Sequence, residues 1–317
     1  MSPSLFSSPA PCVAIEIGPA AVSGLTLARH GAESVIAAYA TEPLPPGVVT
    51  PSLTGANVAD GGALAGAVAQ VLGRLGGRPR WVSLVVPDTM AKVSLVRLEK
   101  VPARADDLDQ LIRWHVRKTA PFRLEEAQLT WSAGAAAGDG SREYVVALAR
   151  QAVVREYEAA CEAAGATAGV VDLATFSLVN AVLAAGEPDG GDWLLVHVTP
   201  RYGSLAILRG RDLIFFRNRS EGTDETLADL VHQTAMYYED RLGGSGGFSR
   251  VLVAASSSGD GGPGGIDALA RQVEERLRVR TQMFDPTGIA RFADRIGADQ
   301  AVLRTVTPLL GVLARGR

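Results

Sequence analysis

Apolar positions open the chain as a compact run, Val13 to Ile17, broken only by Glu16 and closed by Gly18-Pro19, which predicts a buried strand and a turn. Val22 to Arg29 predicts a returning strand and Ser34 to Ala40 a third. Beyond the Pro-rich loop TEPLPPGVVTPS, apolar residues recur at helical spacing from Ala63 to Leu75 and stop at Gly76-Gly77. From Trp81 the segments shorten. They predict strands at Val82 to Val86 and Lys92 to Leu98, a helix from Asp106 to Thr119, strands at Ala127 to Ala133 and Glu143 to Ala149, and a helix from Val153 to Ala164. The first style then returns, with a strand at Ala168 to Asp172, a helix from Leu173 to Ala185, and the linker GEPDGGD. A second meander is expected at Trp193 to Thr199, Gly203 to Arg209 and Asp212 to Arg217. It is followed by a helix from Thr223 to Leu242, a strand at Val251 to Ala254, and helices at Ile266 to Leu277 and Ala298 to Ala314.

Three strands followed by helices thus occur twice, with a short α+β block set inside the first occurrence. The expected division is 1–80 for the first part of lobe one, 81–165 for an inserted subdomain, 166–190 for the return of lobe one, and 191–317 for lobe two. A length of 317 residues suits more than one core. Strand-hairpin turns that face each other across two such lobes are places where phosphates are held.

Composition narrows the function classes. A formal charge of −3 without a long basic run makes nucleic acid a poor partner. Two cysteines far apart, Cys12 and Cys161, suit a reducing cytoplasm. MSPSLFSSPAPC lacks the basic and apolar regions of a signal peptide, and the longest apolar runs are too short to span a bilayer, so membrane contact is expected only through partners. No nucleophile elbow, Ser/His/Asp motif or Walker loop is present. His115, His197 and His232 have no Cys or carboxylate neighbours at ligand spacing, so no metal site is expected.

The most distinctive stretch is Leu111 to Trp131, LIRWHVRKTAPFRLEEAQLTW. Pro121 ends its helix by disfavouring helical geometry at Ala120, and Asp106-Asp107 complement the dipole at the other end. On residue type, Trp114 and Phe122 read first as core anchors and second as contacts. Arg113, Arg117, Lys118 and Arg123 read as a solvated face, with anionic lipid as the other reading. The last helix, with Leu303, Val306, Leu309, Leu310 and Leu313, is expected in the core.

The paired hairpins, IEIGPAAVSGLTLAR and VHVTPRYGSLAILRG, resemble those of the actin-like superfamily, which also includes sugar kinases and Hsp70. WHVRKTAPFRLEEAQLTW, VVDLATFSLVNAV, FDPTGI and LLGVLARGR, in that order, resemble motifs of the PilM family of type IV pilus assembly. The resemblance implies an α/β, actin-like fold of ribonuclease H-like duplicated lobes. It also implies an inserted SHS2-like block of the kind found in FtsA and a second-lobe subdomain that is absent or reduced, since only SEG stands where it would be inserted.

It further implies a nucleotide site at Glu16, Gly18, Ser23, Thr199, Gly203 and Ser256, but the chain departs from the pattern there. Glu16 replaces Asp, Pro19 removes an amide donor, no Lys follows, His197-Val198-Thr199 replaces Asp-Ile-Gly, and Ala254-Ala255 stand where a Gly pair would admit adenosine. ATP and Mg²⁺ binding is therefore expected to be weak or lost, and the chain to be a scaffold rather than an enzyme. By resemblance its partner is the N-terminal tail of a PilN-like protein, lying in a groove between the first lobe and the insert, with Arg113, Trp114, Phe122 and Leu124 as candidate contacts. PilO and the motor ATPases would be met within the complex at the cytoplasmic face of the inner membrane. Actin-like proteins can self-associate, so the resemblance also admits a homo-oligomer. The alternatives are a GspL-like component of type II secretion, which shares the actin-like plan, and an active ATPase or sugar kinase.

Overall fold

The computed structural model describes residues 11–30, 33–186, 191–220, 226–244, 246–255, 265–293 and 300–315, and these form two large sheets and one small one. β1 (Val13–Ile17) is buried along its whole length because it is central, pairing antiparallel with β2 (Ala21–His30) and parallel with β4 (Trp81–Val86). β3 (Glu33–Pro43) completes the meander. The crossover helix α1 (Gly61–Arg74) starts where the Asp60 carboxylate accepts from the Ala63 amide at 2.9 Å. α1 lies directly on β2: a Cβ at Gly24 would stand 2.5 Å from Val71 Cγ1, so only glycine admits the helix there.

The insert follows as β5 (Ala91–Leu98), α2 (Ala105–Arg117), β6 (Ala127–Ala136) and β7 (Arg142–Arg150), an antiparallel sheet in the order β5-β7-β6. Alternation along β7 separates its two faces. Tyr144, Val146 and Leu148 are buried against Leu108, Ile112 and Val116 of α2, while Val145, Ala147 and Ala149 point the other way. α3 (Gln151–Ala163) then leads to β8 (Thr167–Leu173), which joins the first sheet parallel to β4 as its outermost strand.

After α4 (Ala174–Ala185) the plan repeats with β9 (Asp192–Val198), β10 (Tyr202–Arg209), β11 (Asp212–Ser220), α5 (Leu227–Arg241), β12 (Arg250–Ala255), α6 (Gly265–Leu277) and β13 (Thr281–Met283). The second sheet runs β11-β10-β9-β12-β13, the same order as β3-β2-β1-β4-β8 in the first. The duplication read from the pattern is therefore topological. α5 begins at Leu227 rather than Thr223, because Thr226 and Asp229 form a capping box at that point. Thr223, Ala298 and Ser256 lie outside the described residues.

The chain does not stay with lobe two to its end, as the 191–317 division expected. β14 (Arg291–Phe292) pairs with β3, and α7 (Gln300–Ala314) buries Val306, Leu309, Leu310 and Leu313 against Ala14, Leu25, Ile36 and Val85 of the first sheet. Strands as short as β13 and β14 carry no readable period, which is why the return was not visible in sequence. α7 also presses on α4 so closely that a Cβ at Gly311 would fall 1.7 Å from the Ser177 carbonyl oxygen. Among the described residues, no helix is long and apolar enough to cross a membrane.

Candidate functional site

The two hairpin turns meet as the duplication requires. Glu16, Gly18 and Ser23 from the first and Thr199 with Tyr202 from the second line one cavity between the lobes, whose volume is only about 20 Å³. That is close to the room one water needs. The groups that would face phosphates are engaged with the protein itself. Gly18 donates its N–H to the Ala21 carbonyl at 3.0 Å. Ser23 Oγ lies 3.1 Å from Thr41 Oγ1, and Thr199 Oγ1 accepts from the Tyr202 amide at 2.9 Å. Gly203 stands apart from the cavity lining, pressed against Leu227, whose Cδ1 would lie 2.7 Å from an added Cβ.

Beside this cavity lies a polar cluster that the sequence pattern did not single out. Asp88, fully buried just after β4, accepts from the Thr175 amide at 2.9 Å, from the Thr175 hydroxyl, and from Ser204 Oγ at 2.6 Å. His197 Nδ1 lies 2.8 Å from Thr175 Oγ1 and 3.4 Å from the Asp88 carboxylate. Asn218 donates to the Asp88 carbonyl at 3.2 Å. Asp88 and Thr175 belong to the first lobe, and His197, Ser204 and Asn218 to the second, so the cluster ties the lobes together. Burial by itself pushes the Asp88 carboxyl up, but hydrogen bonding and the field of His197, with the Ser204 and Thr175 hydroxyls, outweigh it and hold the group below the usual range. Burial, with the fields of Asp88 and Glu16, pushes the Tyr202 phenol well up.

His197 corrects one expectation: the fold supplies the carboxylate neighbour that sequence spacing did not show, because Asp88 is far away along the chain. The signals were a Pro-Asp step at a strand end and a histidine where the hairpin pattern has a carboxylate. Even so, no group of three metal-ligating side chains occurs among the described residues.

A larger space opens on the other side of β8. A groove of about 600 Å³ runs between that strand and the face of the insert turned away from α2. Its floor is Val145, Ala147 and Ala149 of β7 beside Gln128, Thr130 and Ser132 of β6. One wall is α3, through Gln151, Val154, Arg155 and Glu158, and the other is Ala168 to Leu173 of β8. Its inner end carries Asp172, with Arg315 at 3.7 Å. Burial pushes Asp172 up to about 6, opposed by the Arg315 charge and the Leu173 amide. Burial also raises Glu158, helped by Glu162 and opposed by Arg155.

The Leu111 to Trp131 stretch lies mainly across the sheet from this groove. Trp114 is not a core anchor: it is 60% exposed, because Leu108, Ile112 and Val116 set the buried face of α2 and Trp114 sits half a turn away. Lys118 approaches its ring, and His115 packs edge-on against it. Arg113 pairs with Asp109 at 2.6 Å, and Asp109 also accepts from Trp131 Nε1 at 3.0 Å. Phe122 and Leu124 pack partly into the insert core and share a shallow depression of about 420 Å³ with Arg117 and Arg123. None of Arg113, Trp114, Phe122 and Leu124 lines the groove, whereas Trp131 reaches it.

Comparison with known proteins gives these features a setting. A family description, type IV pilus assembly protein PilM, matches residues 14–241. A solved structure described as a PilM-PilN type IV pilus biogenesis complex superposes with a TM-score of 0.80 at 19% identity, covering 96% of this chain and 98% of that one. A protein of unknown function with an actin-like ATPase fold from Bacteroides thetaiotaomicron superposes with a TM-score of 0.52 at 8% identity, covering 95% and 94%. The fold is thus that of the actin-like proteins.

Proposed function

The chain belongs to the PilM family of type IV pilus assembly proteins, and from that premise we propose that it is a non-catalytic scaffold of the assembly platform that holds the N-terminal tail of a PilN-like protein in the groove beside β8. The observation that carries this reading is the contrast in space. The cavity between the phosphate-type hairpins has about 20 Å³, and the groove about 600 Å³. Small-molecule sites run from about 300 to 1,000 Å³. Of these two, the groove has the room for a specific ligand, and its floor of small apolar and neutral polar side chains suits an extended peptide.

In this reading the degenerate positions Glu16, Gly18, Ser23, Thr199, Gly203 and Ser256 hold neither ATP nor Mg²⁺, and the Asp88 cluster occupies the interlobe position instead. The protein works at the cytoplasmic face of the inner membrane, held there by its partner, and reaches PilO and the motor ATPases through the complex. Arg113, Trp114, Phe122 and Leu124 lie across the sheet from the groove and do not contact a tail held there.

Calorimetry tests both halves. A synthetic peptide of the PilN-like tail is expected to bind, and MgATP is not. Micromolar MgATP binding with turnover, together with no peptide binding, would reverse the assignment.

A further inference from the structure

On α2 the aromatic and basic residues left outside by packing gather at one end. Leu108, Ile112 and Val116 set the buried face, so Trp114 points away from the sheet and is 60% exposed. Residues three and four positions apart share a helix face, which places Arg117 and Lys118 on either side of Trp114 one turn further on. Lys118 Nζ lies 5.9 Å from the centre of the indole ring. Beyond Pro121 the chain stays at this end, where Arg117, Phe122 and Arg123 share the shallow depression beside the helix. Lys92 brings a further cation from β5 by donating to the Thr119 carbonyl.

The carboxylates lie elsewhere or are already engaged. Asp106 and Asp107 occupy the first turn of α2, roughly 11 Å along the axis from Trp114. Asp109 is held by Arg113 at 2.6 Å and by Trp131 Nε1 at 3.0 Å. Glu125 stands 3.7 Å from Arg123, an exposed pair of the kind that contributes little. Among the described residues, Arg117 and Lys118 have no carboxylate partner. The whole chain carries a formal charge of −3, so any attraction to an anionic surface comes from this local patch and not from net charge.

Shape decides which anionic surface fits. A peptide gains affinity from a groove with pockets for its anchors, whereas Trp114 stands out from the convex side of a helix. At a bilayer an indole settles at the headgroup level, and Arg and Lys lay their stems along the surface while their charges meet phosphate. A single bound phosphate fits less well, because α2 ends here and its last carbonyls point outward.

We propose that this end of the insert is a direct contact surface for an anionic lipid bilayer, with Trp114 entering the headgroup zone and Arg117, Lys118 and Arg123 meeting lipid phosphates. The contact lies across the sheet from the groove and needs no tail peptide, so it stands or falls separately from the tail site. A weak surface contact of this kind adds to a partner's hold on the chain without replacing it.

The probe is vesicles of phosphatidylcholine with and without about one-third phosphatidylglycerol, and the readout is co-sedimentation of the full chain without peptide. Binding is expected to the anionic vesicles only, and to weaken as salt rises. Each cation at such a surface is worth about fivefold, so Arg117→Gln/Lys118→Gln/Arg123→Gln should lose about a hundredfold. Arg29→Gln/Arg78→Gln/Arg241→Gln removes the same charge at exposed positions elsewhere and should bind as the wild type does. Trp114→Ala should lose roughly tenfold, and brominated lipid should quench wild-type fluorescence more than that of Trp114→Phe. No binding to anionic vesicles refutes the proposal, as does an equal loss in the two triple variants, which would leave only net charge at work. Quenching that is the same in Trp114→Phe refutes the entry of the indole. Capture of polyglutamate without vesicle binding would assign the surface to an acidic protein segment and overturn the lipid assignment.

Discussion

Asp88→Ala probes the tie between the lobes. The wild-type carboxylate is fully buried and accepts from the Thr175 amide and hydroxyl and from Ser204 Oγ, with His197 at 3.4 Å. Alanine removes the acceptor but leaves its donors buried. Each stranded buried donor costs about 1–3 kcal/mol. The Thr175 amide cannot turn away, whereas the two hydroxyls can turn to other acceptors, so the expected loss is about 2–5 kcal/mol. Asp88→Asn keeps the shape and one acceptor oxygen for the Thr175 amide, and the Thr175 and Ser204 hydroxyls can rotate to accept, so about 1–2 kcal/mol is expected. Urea unfolding measures both, with native-state hydrogen exchange reporting whether β9 and β10 open before the first sheet. Trp193, fully buried in the second lobe, offers a local fluorescence probe, which matters because two lobes need not unfold together. A double-mutant cycle with Ser204→Ala should return a coupling of about 1–3 kcal/mol. An Asp88→Ala protein within about 1 kcal/mol of wild type would refute this role for Asp88, because its donors would then have found other partners at no cost.

Asp172→Asn should stabilise the protein above neutral pH. The folded carboxyl is raised to about 6 from 3.8, so the native state binds more protons between those values and loses stability as pH rises through them. At about 1.4 kcal/mol per unit, the variant gains up to about 3 kcal/mol at pH 7.5, and the gain should vanish below about pH 4; urea midpoints across pH check this. Gly311→Ala forces a Cβ to within 1.7 Å of the Ser177 carbonyl, so the α4–α7 contact must separate. A loss of at least about 2–3 kcal/mol in thermal or urea unfolding is expected. Trp114→Ala should change stability by no more than about 0.5 kcal/mol, while Trp131→Ala, losing its bond to Asp109 and its edge contact with Tyr144, should cost about 3 kcal/mol.

Local pattern determined most of the elements. The apolar run of β1 predicts a buried strand, whereas residue type places Trp114 in the core and only the packing of Leu108, Ile112 and Val116 shows it on the opposite face of α2. The repeat of three strands and helices gave the duplicated plan, because a meander and its crossover are each encoded by short-range hydrophobic period. Glu16, Pro19 and His197 mark where the hairpins depart from the actin-like pattern.

Other features depend on residues brought together from distant segments. Asp88, Thr175, His197 and Ser204 have no common period or motif, and their cluster exists because a strand end, a helix start and two strands of the other lobe converge. The return of β14 and α7 to the first lobe depends on two-residue pairing and on the close α4–α7 approach. The groove, too, depends on how the insert packs beside β8. Sequence period records the face of a strand and carries no signal for its place in the sheet, since edge and centre differ in neighbours rather than in their own residues.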